Sequence, residues 1–367
     1  MACRHVLSVA WVVATALAVV FPGGAASSRA DGFGWDLPAG MPPPPVPQDN
    51  PMSEAKVDLG RRLFFDVKLS GPGYMSCAAC HQPERGFTDG RPTAIGVTGQ
   101  RHPRASMGLA NIAYQTVLTG ADLGLRTLEE QALRPLFGEH PVEMAVAGYE
   151  ATVLARFRSD PVYPRRFAAA FPETGGLIDF AAIAKAIAAF ERTLLSFDAP
   201  YDRYRRGDRE AIPAAARQGE ALFLGRLGCG NCHGGPFLTD AIPEPRFHNT
   251  GLYNMDGRGA LPAGSQGLIE HTGTAEDMGK FRTPSLRNVA LTAPYMHDGS
   301  LPSLDAVIDH YAAGGNAARS TARSPLASDL VQGFNVTEGE RRDLIAFLES
   351  LTDRTFVDST SHRTPYR

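Results

Sequence analysis

The chain has 367 residues, enough for two modest domains with hydrophobic cores. Its 36 Lys and Arg nearly balance 39 Asp and Glu. That balance excludes the basic footprint of a nucleic-acid binder and gives no polybasic patch for a membrane surface.

At the start, Arg4 and His5 precede an apolar run from Val6 to Phe21, then Pro22 and the small residues Gly23 to Ser28. Charge, apolar core and A-x-A-like stretch in that order predict a secretory signal peptide over 1–30, cleaved after Ala26 or Ala30. The rival, a retained anchor, needs roughly 20 apolar residues to span a bilayer; this run has about 16. Cys3 falls in the leader. The other four of the five Cys belong to two motifs described below, which leaves no thiol for a disulfide or a nucleophile.

Residues 31–54 form a Pro/Gly-rich arm that contains Pro42 to Pro45. AKVDLGRRLFF (55–65) predicts a helix with Val57, Leu59, Leu63 and Phe64 on one face. ARQGEALFLG (216–225) repeats its plan: a Gly, then Leu-Phe three residues on, then a Cys-x-x-Cys-His motif. This internal repeat predicts two related domains, 55–205 and 206–355, with 356–367 as a tail. Between the repeats, Thr127 and Glu130 make a capping box. Residues 180–195 carry Ile183, Ile187, Phe190 and Leu194 on one core-facing stripe. Near the end, Thr337 and Glu340 cap a helix bearing Leu344, Phe347, Leu348 and Leu351. Strand signals are sparse, so the expected fold is mainly α, with long loops around two cytochrome c-like haem domains.

The chemistry sits in CAACH (77–81) and CGNCH (229–233). Each Cys of a pair can add across a haem vinyl group, and the adjacent His reaches the iron from the proximal side. Two covalent haem c groups are therefore expected, on Cys77, Cys80 and His81 and on Cys229, Cys232 and His233. A structural zinc built from two Cys-x-x-Cys pairs is the alternative, but it does not need a His directly after both pairs.

Together with these motifs, LEEQALRPLFGEHPVEM (128–144) and RTPSLRNVALTAPYMHDGSL (282–301) resemble the bacterial di-haem cytochrome c peroxidase/MauG superfamily. GFGWDLP (32–38), DNPMSEAKVDLGRRLFFD (49–66), FGEHPVE (137–143), RFHNTGLYN (246–254) and DHYAAGG (309–315) are more similar to the MbnH family within it. The resemblance covers nearly all of the chain beyond the leader. It implies that Val97, in IGVTGQ (95–100), replaces a distal His and leaves the first iron open to peroxide. His102, close by, reads as a surface or core histidine. At the second haem the peroxidases' Met position is Tyr311, the residue MauG-like enzymes use as a ligand; Met278 and Met296 are the alternatives. Gln131, Pro135 and Glu143 match the distal pocket, with Glu143 as the acid/base that moves a proton between the peroxide oxygens and Gln131 orienting the oxidant.

Two positions depart from the superfamily. Gly120 stands where a Trp between the haems is expected, which leaves Tyr114 or direct haem-edge contact for electron transfer. Ala105 stands at the Asn ligand of an inter-domain calcium, although Thr292 and Pro294 match its carbonyl ligands; Asn111 or water would have to substitute. The resemblance implies a hydrogen peroxide-dependent oxidase that reaches a bis-Fe(IV)-type state and oxidises an exported MbnP-like protein, converting Trp to kynurenine, in the periplasm. Its rivals are a di-haem peroxidase fed by small cytochromes, quinone-cofactor biogenesis of the MauG type, and a plain electron carrier with both irons six-coordinate.

Overall fold

The computed structural model describes residues 32–315 and 322–366; the leader and Cys3 lie outside them. In chain order the helices are α1 (Glu54–Phe64), α2 (Leu128–Phe137), α3 (Glu150–Arg158), α4 (Tyr163–Ala170), α5 (Phe180–Arg192), α6 (Pro200–Arg205), α7 (Ala214–Leu224), α8 (Ile269–Thr272), α9 (Leu304–Ala312), α10 (Glu338–Glu349) and α11 (Arg354–Val357). One two-stranded antiparallel ribbon, β1 (Phe247–His248) with β2 (Phe281–Arg282), pairs Phe247 with Arg282. The fold is mainly α, as the sparse strand signals predict. No helix of the described residues is long and apolar enough to cross a membrane.

The internal repeat is a repeat in space. Ser53 caps α1 by accepting the Lys56 N–H at 3.2 Å, and Glu54 and Arg61/Arg62 complement the helix dipole. Halfway along, Gly60 lets α1 lie directly on α5: a Cβ there would stand 1.8 Å from the Ala186 carbonyl oxygen. Gly219 does the same for α7 on α10, where a Cβ would stand 2.0 Å from the Asp343 oxygen. The Phe four residues on locks each crossing. Phe64 packs edge-on against Phe190 at 5.3 Å, and Phe223 packs at a tilt against Phe347 at 5.1 Å.

Two main cores follow from these crossings. The first holds Leu59, Leu63, Leu136, Phe167, Ile183 and Ile187; the second holds Ile212, Phe223, Leu344, Phe347 and Leu351. Both end segments are packed. Phe33 and Trp35 of the arm cluster with Met52 and Ala189. Phe356 and Val357, in the tail, return to the first core, where Phe356 meets Phe87 at 5.5 Å. Tyr366 then donates to Asp66 at 2.7 Å, and Tyr163 donates to the same carboxylate oxygen at 2.5 Å.

Candidate active site

Each Cys-x-x-Cys-His motif folds as one tight 3₁₀ turn, Cys77–Ala79 and Cys229–Asn231. The His N–H donates to the first Cys carbonyl in both, at 3.0 Å for His81 and 2.9 Å for His233. The two Cys of each pair therefore flank their His. All four thiols are free. Burial pushes Cys80, Cys229 and Cys232 up to about 11, and Cys77 up as well, which keeps them as thiols.

The imidazoles are wired alike. Nδ1 of His81 lies 2.9 Å from the Phe87 carbonyl oxygen, and Nδ1 of His233 lies 3.3 Å from that of Leu238. A carbonyl only accepts, so Nδ1 carries the proton and Nε2 keeps its lone pair. Burial lowers the pKa of both rings, that of His233 to about 4, so both are neutral at working pH. Phe87 and Leu238, which supply those carbonyls, both hold positive φ, 65° and 52°. Non-glycine residues adopt that region at a cost that fixed surroundings must offset. This donor set fits a haem better than a zinc site: two thiols and one neutral imidazole with a free Nε2 at each motif, and an adjoining cavity at the first.

That cavity lies beside the first motif. Cys77, Cys80 and His81 line it together with Gln131, Pro135 and Glu143, so the structure brings all six of these sequence-predicted residues together. α2 carries Gln131 and Pro135. The Pro135 carbonyl accepts the Met144 N–H at 2.8 Å and so anchors the strand that presents Glu143. Desolvation raises the Glu143 carboxyl above its usual value, partly countered by the positive charge of Arg134. Val97 is buried outside this lining; its N–H donates to the Glu143 carbonyl at 2.7 Å.

Two titratable residues of the lining were not anticipated as parts of the site. His102, read as a surface or core residue, reaches the cavity with Nε2 3.9 Å from Glu143 Oε1. Glu191 is 6 % exposed, and its Oε2 has no hydrogen-bond partner. Desolvation raises its pKa to about 8. Its signal was readable: a carboxylate four residues after Ile187, on the apolar stripe of α5.

At the second motif, burial pushes the phenol of Tyr311 on α9 well above its ordinary range, and Cys232 and Cys229 are the titratable groups near enough to add to that rise. Tyr114 packs at a tilt against Phe237, four residues after His233, with ring centres 4.7 Å apart, and its hydroxyl donates to the Pro42 carbonyl at 2.7 Å. A Cβ on Gly120 would meet Phe281 at 3.7 Å, so a phenyl ring borders the position where a Trp is expected. Asn111 directs its amide to Ser196, accepting the Ser196 N–H at 2.8 Å and donating to the Ser196 carbonyl at 3.0 Å. The amide expected to replace the missing calcium ligand is therefore committed to the backbone.

Comparison with known proteins agrees with this layout. Residues 54–210 match the family described as di-haem cytochrome c peroxidase. The methylamine utilization protein MauG of Methylorubrum extorquens is 37 % identical over 354 residues, covering 94 % of each chain. The cytochrome-c peroxidase IdrP1 of Denitromonas iodatirespirans is 38 % identical, covering 89 % of each. A crystal structure of a MauG-like protein associated with microbial copper homeostasis superposes with a TM-score of 0.88 at 48 % identity, covering 91 % of this chain and all of that one. The paired helix crossings, the two identically wired histidines and these relatives lead to one conclusion: the chain belongs to the di-haem cytochrome c peroxidase/MauG family and is built to work with two haem groups.

Proposed function

We propose that this protein is an exported, peroxide-driven oxidase of a partner protein, with haem c attached through Cys77/Cys80 and Cys229/Cys232 and ligated by His81 and His233. One observation carries the reading: Gln131, Pro135 and Glu143 converge on the cavity of the first motif, while Tyr311 packs near the other Cys pair.

The haems, when bound, supply the two-electron chemistry with hydrogen peroxide. The chain supplies proton handling and geometry. Glu143 accepts a proton at one peroxide oxygen and returns it at the other, a task that a carboxyl with a raised pKa suits. Gln131 orients the oxidant with its amide, and Pro135 holds the backbone of the Glu143 segment through Met144. Tyr311 would ligate the second haem. Burial opposes ionisation of its phenol, so a phenolate there needs a cation beside it, which the iron provides. Tyr114 and Phe237 make the aromatic contact that joins the first domain to the second haem's loop.

The partner proposed is an MbnP-like exported copper-binding protein, and the periplasm is the proposed compartment. The copper-homeostasis association of the neighbour at 48 % identity supports the partner, and the charge pattern of residues 4–28 supports export. The reaction balances as one Trp and two hydrogen peroxide giving N-formylkynurenine and two water, followed by hydrolysis to kynurenine and formate. The test is mass spectrometry of the partner after treatment with this enzyme and peroxide. A Trp that has gained one oxygen and lost one carbon supports the reading. Consumption of peroxide only when small reduced cytochromes are added, with no change in the partner's mass, would favour a detoxifying peroxidase instead.

A further inference from the structure

Three arginines are buried among the described residues: Arg192, Arg282 and Arg287, at 3, 6 and 7 % exposure. A guanidinium stays charged in any protein interior, so each needs a compensating anion. Arg192 has one in Glu129, held bidentately at 2.8 and 2.8 Å. Arg287 has one in Asp202, at 2.7 and 2.9 Å. Arg282 has none. No described carboxylate lies within 4 Å of it, and burial alone lowers its pKa, to about 10, with no acidic group near enough to act. Its hydrogen bonds go only to carbonyls: Nε donates to Thr119 at 3.0 Å and Nη1 to Thr283 at 3.3 Å. Nη2 has no partner among the described residues.

The position of Arg282 identifies what is missing. Its backbone N–H donates to the Gly120 carbonyl at 2.7 Å, which seats it on the 119–120 loop of the first domain. The neighbouring Thr283 carbonyl accepts the Thr239 hydroxyl at 2.8 Å, and the Thr239 N–H donates to Gly234, the residue after His233. Arg282 thus borders the second haem's surroundings on the side that faces the first domain.

We propose that Arg282 is the anion anchor of the second haem site: its guanidinium pairs with a propionate carboxylate of the haem held by Cys229, Cys232 and His233. Planar guanidinium and carboxylate match in geometry, as they do at Arg192 and Arg287. The pairing also links the domains, because the same side chain grips the Thr119 carbonyl. The idea rests on haem attachment at the second motif, so the test measures attachment separately.

The experiment is spectroelectrochemical titration of the holoprotein and its Arg282→Gln and Arg282→Lys variants, after intact mass has shown how many haems each carries. Removing the cation leaves a propionate charge uncompensated, which favours ferric iron. With both haems attached, Arg282→Gln lowers the second haem's midpoint potential and leaves the first unchanged, and Arg282→Lys recovers most of the shift. An unchanged second potential in Arg282→Gln, or an equal shift of both haems, overturns the proposal. Should Arg282→Gln fail to accumulate, an experimental structure of the wild-type holoprotein decides. A propionate oxygen within hydrogen-bond distance of the guanidinium supports the pairing, and a solvent anion only at that place overturns it. A wild-type mass that lacks the second haem defeats the attachment reading and this proposal with it.

Discussion

Nε2 of His102 faces Oε1 of Glu143 across 3.9 Å in the first cavity. His102 Nδ1 accepts the Arg104 N–H at 3.0 Å, so a neutral ring carries its proton on Nε2, toward the carboxylate. Burial and the Arg104 charge lower the His102 pKa, which keeps the ring neutral, while desolvation raises that of Glu143. The pair is a polar contact between a neutral donor and an acid held near its working range.

Glu143→Gln removes the proton carrier and keeps the shape. Peroxide-driven turnover should fall by about 10²–10⁴-fold. The carboxylate form starts the proton transfer, so the wild-type rate rises with pH through a pKa above the ordinary 4.5. That limb is absent in Glu143→Gln. Stopped-flow rates across pH test both points, and an unchanged rate removes the acid/base role.

Tyr311→Phe deletes the proposed ligand with little change in volume. Both haems remain attached by mass, the resting EPR spectrum of the second haem changes, and oxidation of the partner is lost. A variant with the wild-type spectrum and full activity refutes the ligand assignment.

Glu191 bears on stability through its pKa of about 8, raised by burial from 4.5. A raised folded pKa means that the neutral acid is favoured in the fold. Its contribution is complete below about pH 4.5 and is lost as pH rises through 8. Glu191→Gln should therefore flatten the pH dependence of stability between those values, by an amount on the order of a few kcal/mol. Thermal unfolding at pH 5 and pH 9 measures it; equal slopes in the two proteins would dismiss the effect.

Gly60→Ala and Gly219→Ala push a methyl into a facing backbone carbonyl. Each should cost about 1–3 kcal/mol as its helix crossing opens. Gly34→Ala, with nothing within 4 Å, is the silent control. Differential scanning calorimetry compares the three, and equal melting temperatures would contradict the close packing.

Phe356→Ala empties the space against Phe87, whose carbonyl holds His81. A loss of about 3–5 kcal/mol is expected, with the first haem's spectrum disturbed before the second's during denaturation. Simultaneous disturbance of both haems would mean that the tail serves the molecule as a whole.

Most of the helical scaffold was legible because each signal is local. Thr127 and Thr337 cap as their sequence neighbours predict, and Ile183, Ile187, Phe190 and Leu194 bury the face that their spacing prescribes. α9 was not anticipated as a helix, although it carries Tyr311. Its Ser303 cap stands just after a loop that the pairing of Tyr295 with Leu301 closes, a turn that no residue pattern announced. His102 was misjudged for a related reason: its neighbour across the cavity lies 41 residues away in sequence, at Glu143.

The sequence by itself determined the two Cys-x-x-Cys-His turns, since thiol spacing and an adjacent imidazole act within five residues, and it determined the repeated helix that precedes each of them. Only the tertiary structure decided which charged residues are buried without an ion-pair partner among the described residues. Glu191 and Arg282 are ordinary charged residues on the page. They become informative because desolvation depends on everything packed around them, and that surrounding is assembled from segments far apart in the chain.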